Sequence, residues 1–241
     1  MDPTIEGLSS NIAQCYQALK EVTCVEDVYD IVDFLSEETK TTYEHIVCKV
    51  GCSDCCKGLH PPYITAAEWE YILYYLNDLP KAVQDEIIRR ARWFSQEYRD
   101  ALLLQQDLIS GKMQSQQEVE QAYKTLSKSL SNSSCPFLVI DRCGVYPVRP
   151  AKCRAHGNYL VQVGEKIRVH TCLPQVNEWE DYINEQQSRS LTLPLWNVYE
   201  KVITILNPPG TLVASIPVWL ICHIKNDKIV DELNPSPEIT L

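Results

Sequence analysis

Apolar side chains recur every three or four positions near the start of the chain, the spacing that places them on one face of a helix. The first stripe consists of Ile5, Leu8, Ile12, Cys15, Leu19 and Val22. The second consists of Val28, Ile31, Val32, Leu35, Thr39, Tyr43 and Ile46. The pattern therefore predicts two amphipathic helices, the second of which ends just before Cys48.

The start of a third helix is predicted by two capping side chains as well as by the spacing of apolar residues. Thr65 and Glu68 have the arrangement of a capping box, in which each side chain hydrogen-bonds the backbone N–H of the other residue. A helical apolar stripe follows and stops at Pro80, so the sequence predicts a helix between these points. Its members are Trp69, Ile72, Leu73 and Leu76.

The remaining elements are predicted from apolar spacing and turn residues. They are helices over 83–102 and 118–130, a strand over 137–140, a hairpin of 159–163 with 166–170, and helices over 177–188 and 195–206. Residues 234–241 have the composition of a flexible tail. Strands and helices do not alternate regularly, so we expect a mainly α fold with a small β-hairpin or sheet.

Charge and composition exclude several kinds of partner. The chain has 241 residues, with 22 basic and 32 acidic side chains and a net charge of −10. Because nonspecific nucleic-acid binding needs a basic face, we expect no nucleic-acid partner. We find no signal peptide and no apolar run long enough to span a membrane, so we expect a cytoplasmic protein without a membrane partner. A protein substrate or partner suits the acidic balance, and the oligomeric state is left open.

The cysteines carry the strongest chemical signal. Eight of the eleven form two sets, which are Cys48, Cys52, Cys55 and Cys56, and then Cys135, Cys143, Cys153 and Cys172. The cytoplasm keeps thiols reduced, and clustered thiolates are typical ligands of a soft metal ion or an iron–sulfur cluster. We therefore predict all eight as candidate metal ligands, in a helical domain wrapped around a cysteine-rich site.

Eight sulfurs exceed the needs of one ordinary metal site. Cys55 and Cys56 are adjacent, so their side chains diverge and seldom bind the same ion. Two metals, a bridging thiolate and a reactive thiol are the alternatives. The other cysteines are interpreted as packed side chains, because an isolated cysteine behaves as a small hydrophobe. These are Cys15, Cys24 and Cys222, the last of which is predicted to lie in a strand.

The identity of the metal has two main interpretations. The number of sulfurs and the reducing compartment favour iron, as a 4Fe–4S cluster or as iron alone. Zinc is the alternative, in which case it would stabilise a protein-interaction module without catalysis.

A radical S-adenosylmethionine enzyme is a less favoured interpretation. The spacing of Cys48, Cys52 and Cys55 fits the three cluster ligands of such an enzyme. Asp54, however, stands where those enzymes usually have an aromatic residue, and a predicted helix precedes the motif in place of a barrel strand.

The two cysteine sets, taken in order, resemble the YkgJ-type cysteine-cluster family, whose members are described as zinc or iron chelators. The pattern of that family is CxxxCxxCC, then CPFL, then CxxYxxRPxxCR. This chain has Cys48, Cys52, Cys55 and Cys56, then Cys135-Pro136-Phe137-Leu138, then Cys143, Tyr146, Arg149-Pro150 and Cys153-Arg154 at those spacings.

The resemblance covers roughly Cys48 to Cys172 and suggests a domain organisation. We predict a cysteine-cluster metal-binding domain at 48–173, with a helical insertion at about 66–130. The predicted flanking parts are N-terminal helices at 1–47, a C-terminal helical extension at 174–233 and the tail at 234–241.

The same cysteine pattern is similar to that of the flagellin lysine methylases. This more distant resemblance implies an iron–sulfur-dependent methyl transfer with S-adenosylmethionine as a cofactor. An enzymatic role of this transferase type is left open, because the chain has no glycine-rich nucleotide loop, P-loop or H-E-x-x-H motif.

Four other residues beside the cysteines are candidates for catalysis. Tyr146 either donates its hydroxyl to a ligand or packs as a ring. Arg149 and Arg154 either bind thiolates or an anionic group, or hold a turn through a salt bridge. His156 is either a nitrogen ligand or proton carrier, or neither.

Overall fold

The fold is described from a computed structural model of the chain. The structure describes residues 3–46, 48, 51–57, 61–185 and 191–238. No helix within these ranges has the length and apolar composition needed to cross a membrane.

Helices dominate the described residues, as the apolar spacing predicts. The ten α-helices in these ranges are α1 (Pro3–Ala18), α2 (Val25–Thr42), α3 (Ala66–Asp78), α4 (Lys81–Glu97), α5 (Arg99–Ile109), α6 (Gln116–Ser129), α7 (Ala151–Arg154), α8 (Leu173–Glu185), α9 (Trp196–Leu206) and α10 (Ile216–Cys222). The prediction of a mainly α fold is confirmed.

The strands are short and form only two-stranded antiparallel sheets in the described part of the chain. They are β1 (Tyr63–Thr65), β2 (Leu138–Val139), β3 (Arg142–Cys143), β4 (Leu160–Val163), β5 (Lys166–Val169), β6 (Val213–Ser215), β7 (Ile224–Lys225) and β8 (Lys228–Ile229). β1 pairs with β6, and the other three sheets are hairpins of consecutive strands. The predicted hairpin around Gly164 is the β4–β5 pair.

The chain folds into two compact units, each built from segments distant in sequence. Unit 1 consists of Met1–Cys55 and Pro150–Leu206, and unit 2 consists of Cys56–Arg149 and Asn207–Leu241. The chain therefore leaves unit 1 for unit 2 within the adjacent pair of cysteines, and it returns immediately after Arg149.

Helix α2 is central to the packing of unit 1. Val28, Val32 and Leu35 on its apolar stripe are completely buried. The Tyr159 hydroxyl donates a hydrogen bond of 3.1 Å to the Val32 carbonyl in the interior. Because Tyr159 directly precedes β4, this bond ties the second segment of unit 1 to its first segment.

Helix α3 begins the core of unit 2, and its start has the predicted capping box. The Glu68 N–H donates to Thr65 Oγ1 at 3.2 Å, and the Thr65 N–H donates to Glu68 Oε2 at 3.2 Å. Directly after the cap, the Trp69 ring stacks on Trp219 of α10, with ring centroids 6.0 Å apart. The Trp219 Nε1–H donates to the Ile64 carbonyl at 3.1 Å, which joins α10 to β1.

Some predicted boundaries are wrong. The single helix expected over 83–102 is interrupted at Tyr98, whose backbone has φ −112° and ψ 31° and therefore leaves helical geometry. Phe94 and Leu102 on either side are both buried, so the apolar stripe continues across the break. Helix α8 begins at Leu173, four residues before its predicted start at 177, with Pro174 in the first turn, where proline is tolerated.

The isolated cysteines follow the packing interpretation in part. Cys15 is buried on α1, as predicted. Cys24 is exposed, because it occupies the N-cap position of α2, so its predicted packing is wrong. Cys222 packs against the core of unit 2, but it ends α10 and does not lie in a strand.

Candidate metal centre

The first cysteine motif follows α2 and leads into a short 3-10 turn at Asp54–Cys56. Gly51 has φ +90°, a conformation that glycine adopts without strain, and it turns the backbone just before Cys52. The Cys52 thiol donates to the Asp54 carboxylate across 3.5 Å. Burial raises the pKa of Cys52, so this thiol holds its proton at neutral pH unless a cation is bound.

Three thiols of this motif are coupled electrostatically to Cys172 within unit 1. Burial raises the pKa of the Cys48 thiol to about 11, although the Lys40 ammonium lowers it. Negative charge on Cys52, Cys55 or Cys172 raises the same pKa further. The buried Cys172 has its pKa raised by burial and then by charge on Cys52 and Cys55. Because these four thiols repel each other's negative charge, a bound cation would stabilise all four thiolates.

The second motif contributes Cys153 and Cys172 to unit 1. Cys153 lies on α7, and Cys172 directly precedes α8. A histidine pair joins their two segments, since His156 Nδ1 lies 3.2 Å from His170 Nε2 and the Gly157 N–H donates to the His170 carbonyl at 2.6 Å. Burial lowers the pKa of His156 to about 4 and that of His170 to about 3, so both rings are neutral at pH 7.

A group of buried polar side chains lies beside this pair. Asn158 and Gln175 are each 1% exposed. In the described part of the structure, no partner is found for His156 Nε2, Asn158 Oδ1 or either amide atom of Gln175. Gly157 has φ +89°, and a Cβ at this position would lie 2.7 Å from Gln175 Oε1. Buried polar atoms of this kind usually contact an ordered water or a ligand.

The other three predicted thiols lie on one backbone framework in unit 2. The Cys135 N–H donates to the Cys56 carbonyl at 2.9 Å, and the Leu138 N–H donates to the Cys135 carbonyl at 3.0 Å. Leu138 pairs in turn with Cys143 across the β2–β3 hairpin. The side chains of all three cysteines pack with the hydrophobic core of unit 2. Residues about 80 positions apart in sequence are therefore neighbours here.

The candidate catalytic residues also lie in different units. In unit 2, the Arg149 guanidinium lies 3.9 Å from the centroid of the Tyr146 ring. In unit 1, the buried Arg154 forms an ion pair with Asp33 of α2 and lies 4.4 Å from the Tyr29 ring centroid. These contacts give Arg154 a structural role in holding α7 against α2.

The candidate ligand side chains can be compared with the ligand preferences of the metals that the sequence suggests. Among the described residues, no three His, Cys, Asp or Glu side chains converge as the ligands of one ion would. The donor chemistry nevertheless fits a thiophilic metal, because the coupled groups are thiols and soft ligands select zinc, copper(I) or iron–sulfur clusters. The orphaned buried atoms beside Cys172 are consistent with a ligand site in the same part of unit 1.

Comparison with known families agrees with this chemistry. Residues 47–173 match the family model CxxCxxCC, described as "Putative zinc- or iron-chelating domain". The match spans more than half of the chain. The chain belongs to this family. No curated protein and no solved structure matches the chain significantly.

Membership in the CxxCxxCC family confirms the resemblance on the cysteine motifs and makes this chain a cysteine-cluster metal-binding protein. The similarity to flagellin lysine methylases has no such match. The iron–sulfur cluster, the methyl transfer with S-adenosylmethionine, the radical mechanism and the individual ligand and catalytic roles stay predictions.

Sequence reasoning did not single out two residues that lie close to Cys172 along the chain in unit 1. His170 stands two positions before Cys172 and contacts His156, and that short spacing to a predicted ligand was a usable signal. Gln175 has no sequence signal, because its position over Gly157 depends on how α8 packs in unit 1.

Proposed function

We propose that the protein binds an iron–sulfur cluster through the four coupled thiols of unit 1. These are Cys48, Cys52, Cys55 and Cys172. The observation that carries the proposal is that these four thiols lie in one unit and that charge on Cys52 and Cys55 raises the pKa of both Cys48 and Cys172. Four thiolates are the usual protein ligands of such a cluster.

The number of clustered sulfurs favours a cluster over a single zinc ion. Tetrahedral zinc takes only four ligands, whereas this chain has eight cysteines in two sets. Thiolates are the usual protein ligands of iron–sulfur clusters. When bound, such a cluster supplies one-electron or Lewis-acid chemistry.

The backbone around these thiols is suited to hold them in place. The carbonyl of Cys172 accepts hydrogen bonds of 3.1 Å from the N–H groups of Gln175 and Val176, so the first turn of α8 fixes this residue. Gly51 and the 3-10 turn set the direction of Cys52 and Cys55. Because the thiols hold their protons in the absence of metal, binding releases protons and weakens at low pH. A reducing compartment such as the cytoplasm would keep these thiols available.

Anaerobic purification with elemental analysis tests the proposal. We expect a brown protein that absorbs near roughly 400 nm, with iron and sulfide in equal amounts and an electron paramagnetic resonance signal after reduction. Cys52→Ser should lose most of this iron, because it removes a ligand. Cys15→Ser is the matched control, since Cys15 is buried on α1 and lies outside both cysteine motifs, and it should keep full iron content.

The same measurements would show if the proposed cluster is wrong. A colourless wild-type protein with one zinc per chain would contradict the proposed cluster. It would support the alternative of a zinc-stabilised interaction module. Wild-type iron content in Cys52→Ser would show that the coupled thiols are not the ligands.

A further inference from the structure

The β4–β5 hairpin of unit 1 has one edge that is covered by other residues and one that is open. We propose that the open edge, along β5, is a docking site for an extended peptide segment of a partner protein in which acidic and apolar residues alternate. The segment would add to the hairpin as a third strand, a common way in which proteins bind peptides. This inference does not depend on the proposed cluster.

The edge of β4 is covered by the chain at the start of α9. The Leu160 N–H donates to the Pro194 carbonyl at 2.9 Å. At Gln162 the side chain of Asn197 takes the place of a neighbouring strand, because Asn197 Oδ1 accepts from the Gln162 N–H at 2.8 Å and Asn197 Nδ2 donates to the Gln162 carbonyl at 3.1 Å. The backbone groups of Leu160 and Gln162 therefore point away from β5.

The open edge of β5 follows from this alternation. Directly opposite residues of an antiparallel pair either bond each other or both direct their backbone groups outward. Ile167 lies opposite Gln162 and Val169 lies opposite Leu160, so the N–H and C=O groups of Ile167 and Val169 face away from β4. Among the described residues, neither a strand nor a backbone hydrogen bond covers these groups. They are the groups that a third strand would bind.

The β5 strand is held in an extended conformation without a partner. The His170 N–H donates to the Tyr159 carbonyl at 2.7 Å, which continues the ladder beyond the end of the hairpin. The Val169 side chain packs against a buried cluster that contains Tyr43 and Trp179. Because the strand is already ordered, a peptide that binds to it does not have to order the protein as well.

The side chains of β5 define the chemistry of the peptide. Ile167 is 59% exposed on one face of the hairpin, and Lys166 and Arg168 are exposed on the other face. In the described part of the structure, neither basic side chain forms an ion pair. Neighbouring strands align side chains of the same face. A bound strand would therefore place an apolar residue beside Ile167 and acidic residues beside Lys166 and Arg168.

The same charges disfavour a second copy of this chain as the partner. Two β5 strands paired in antiparallel fashion about Ile167 would bring Lys166 of each copy beside Arg168 of the other. Like charges on directly opposite residues destabilise a strand pair, and charged side chains on an edge strand commonly prevent such self-pairing. An acidic strand fits this edge better than β5 itself does.

A synthetic peptide in which glutamate and valine alternate, blocked at both ends, tests the docking site on the full-length protein. Binding should slow the hydrogen exchange of the Ile167 and Val169 amides, because each becomes hydrogen-bonded. The Val161 amide is the internal control, since it already faces β5 within the hairpin, and its exchange should change little. A peptide in which lysine and valine alternate should bind much more weakly.

Two variants separate the backbone contribution from the charge contribution. Ile167→Pro removes an outward N–H and leaves the β4–β5 ladder intact, so it should abolish binding. The double variant Lys166→Glu/Arg168→Glu should bind the glutamate peptide about tenfold more weakly and should prefer the lysine peptide. Lys228→Glu is the matched control, because it makes the same charge change on β8 in unit 2, and it should bind as the wild type does.

The contrary outcomes are distinct. Equal binding of the two peptides, or unchanged binding in the double variant, would overturn the assignment of an acidic partner. If Lys166 and Arg168 only protect the edge from self-pairing, neither peptide would bind at millimolar concentration, and the docking site would be wrong. A wild-type dimer that Ile167→Pro converts to a monomer would instead assign the edge to a second copy. The charge reversal leaves the backbone unchanged, so it decides the question even if Ile167→Pro fails to fold.

Discussion

At the scale of single residues, His223 shows how burial fixes a protonation state. The side chain is completely buried, its Nδ1 lies 2.7 Å from the Trp219 carbonyl, and the Asn234 N–H donates to its Nε2 at 2.9 Å. A carbonyl only accepts, so Nδ1 carries the hydrogen and Nε2 provides the lone pair. Burial lowers the pKa of His223, and Lys225 lowers it further, although the Trp219 bond opposes them.

This lowered pKa predicts a pH-dependent stability. The unfolded chain gains a proton below about pH 6.5, while folded His223 stays neutral to lower pH. The free energy of unfolding should therefore fall as the pH decreases below about 6.5, by up to about 1.4 kcal/mol per pH unit from this residue. Urea unfolding at pH 7.5 and 5.5, followed through the tryptophan signal, measures the difference.

The variant His223→Gln isolates this contribution. Glutamine can both donate to Trp219 and accept from Asn234, but it does not titrate. The stability of the variant should depend less on pH than that of the wild type, although His156 and His170 add their own dependence to both. Equal pH dependence in the two proteins would contradict the assignment.

At the scale of elements, the start of α3 depends on two side chains. Thr65 and Glu68 are both nearly buried, so the helix N–H groups that they satisfy have little access to water. Thr65→Ala should lower the free energy of unfolding by about 1–2 kcal/mol, because the Glu68 N–H loses its acceptor. Chemical denaturation followed by circular dichroism measures this loss. Thr65→Ser keeps the oxygen and should lose much less, and equal losses in the two variants would rule out a capping role.

The same helix shows what sequence can predict. The capping box is local, with Thr65 and Glu68 three positions apart, so the start of α3 could be read directly. The break at Tyr98 could not be predicted, because the buried Phe94 and Leu102 continue one apolar stripe across it and neither glycine nor proline marks it. Spacing decides which face of a helix is apolar, whereas packing decides where that helix ends.

In the metal-binding region, too, some contacts join residues that are close in sequence and others join distant segments. The thiols of Cys48, Cys52 and Cys55 are close in sequence, and their spacing predicted their proximity. The neighbourhood of Cys56 and Cys135 depends on a hydrogen bond between segments about 80 residues apart. One chain alone gives no signal for such a contact, so the sequence could predict eight candidate ligands but not their grouping.

At the scale of the whole molecule, two compact units predict two regions of separate stability. Leu35 on α2 and Leu76 on α3 are both completely buried, one in each unit. Replacing either by alanine should cost about 2–5 kcal/mol through lost burial and a cavity. Hydrogen exchange should then rise across the unit that holds the substitution, in segments that are distant in sequence.

The two variants serve as controls for each other. Leu35→Ala should raise exchange in α9, about 160 residues farther along the chain, and leave α4 unchanged. Leu76→Ala should raise exchange in α4 and α10 and leave α9 unchanged. A uniform rise in both variants would mean that the chain unfolds as one cooperative block.

The close approach at Gly157 also restricts which mutations the gene can accept. Every amino-acid substitution of a glycine introduces a side chain with a Cβ, and here that atom would lie 2.7 Å from Gln175 Oε1 in a backbone conformation of φ +89°. Gly164, at φ +61°, has open space around it, so a substitution there meets only the backbone strain. In a saturation-mutagenesis library, variants at position 157 should therefore be depleted more strongly than those at 164. In a library randomised at both 157 and 175, surviving variants with a side chain at 157 should carry a shorter side chain at 175.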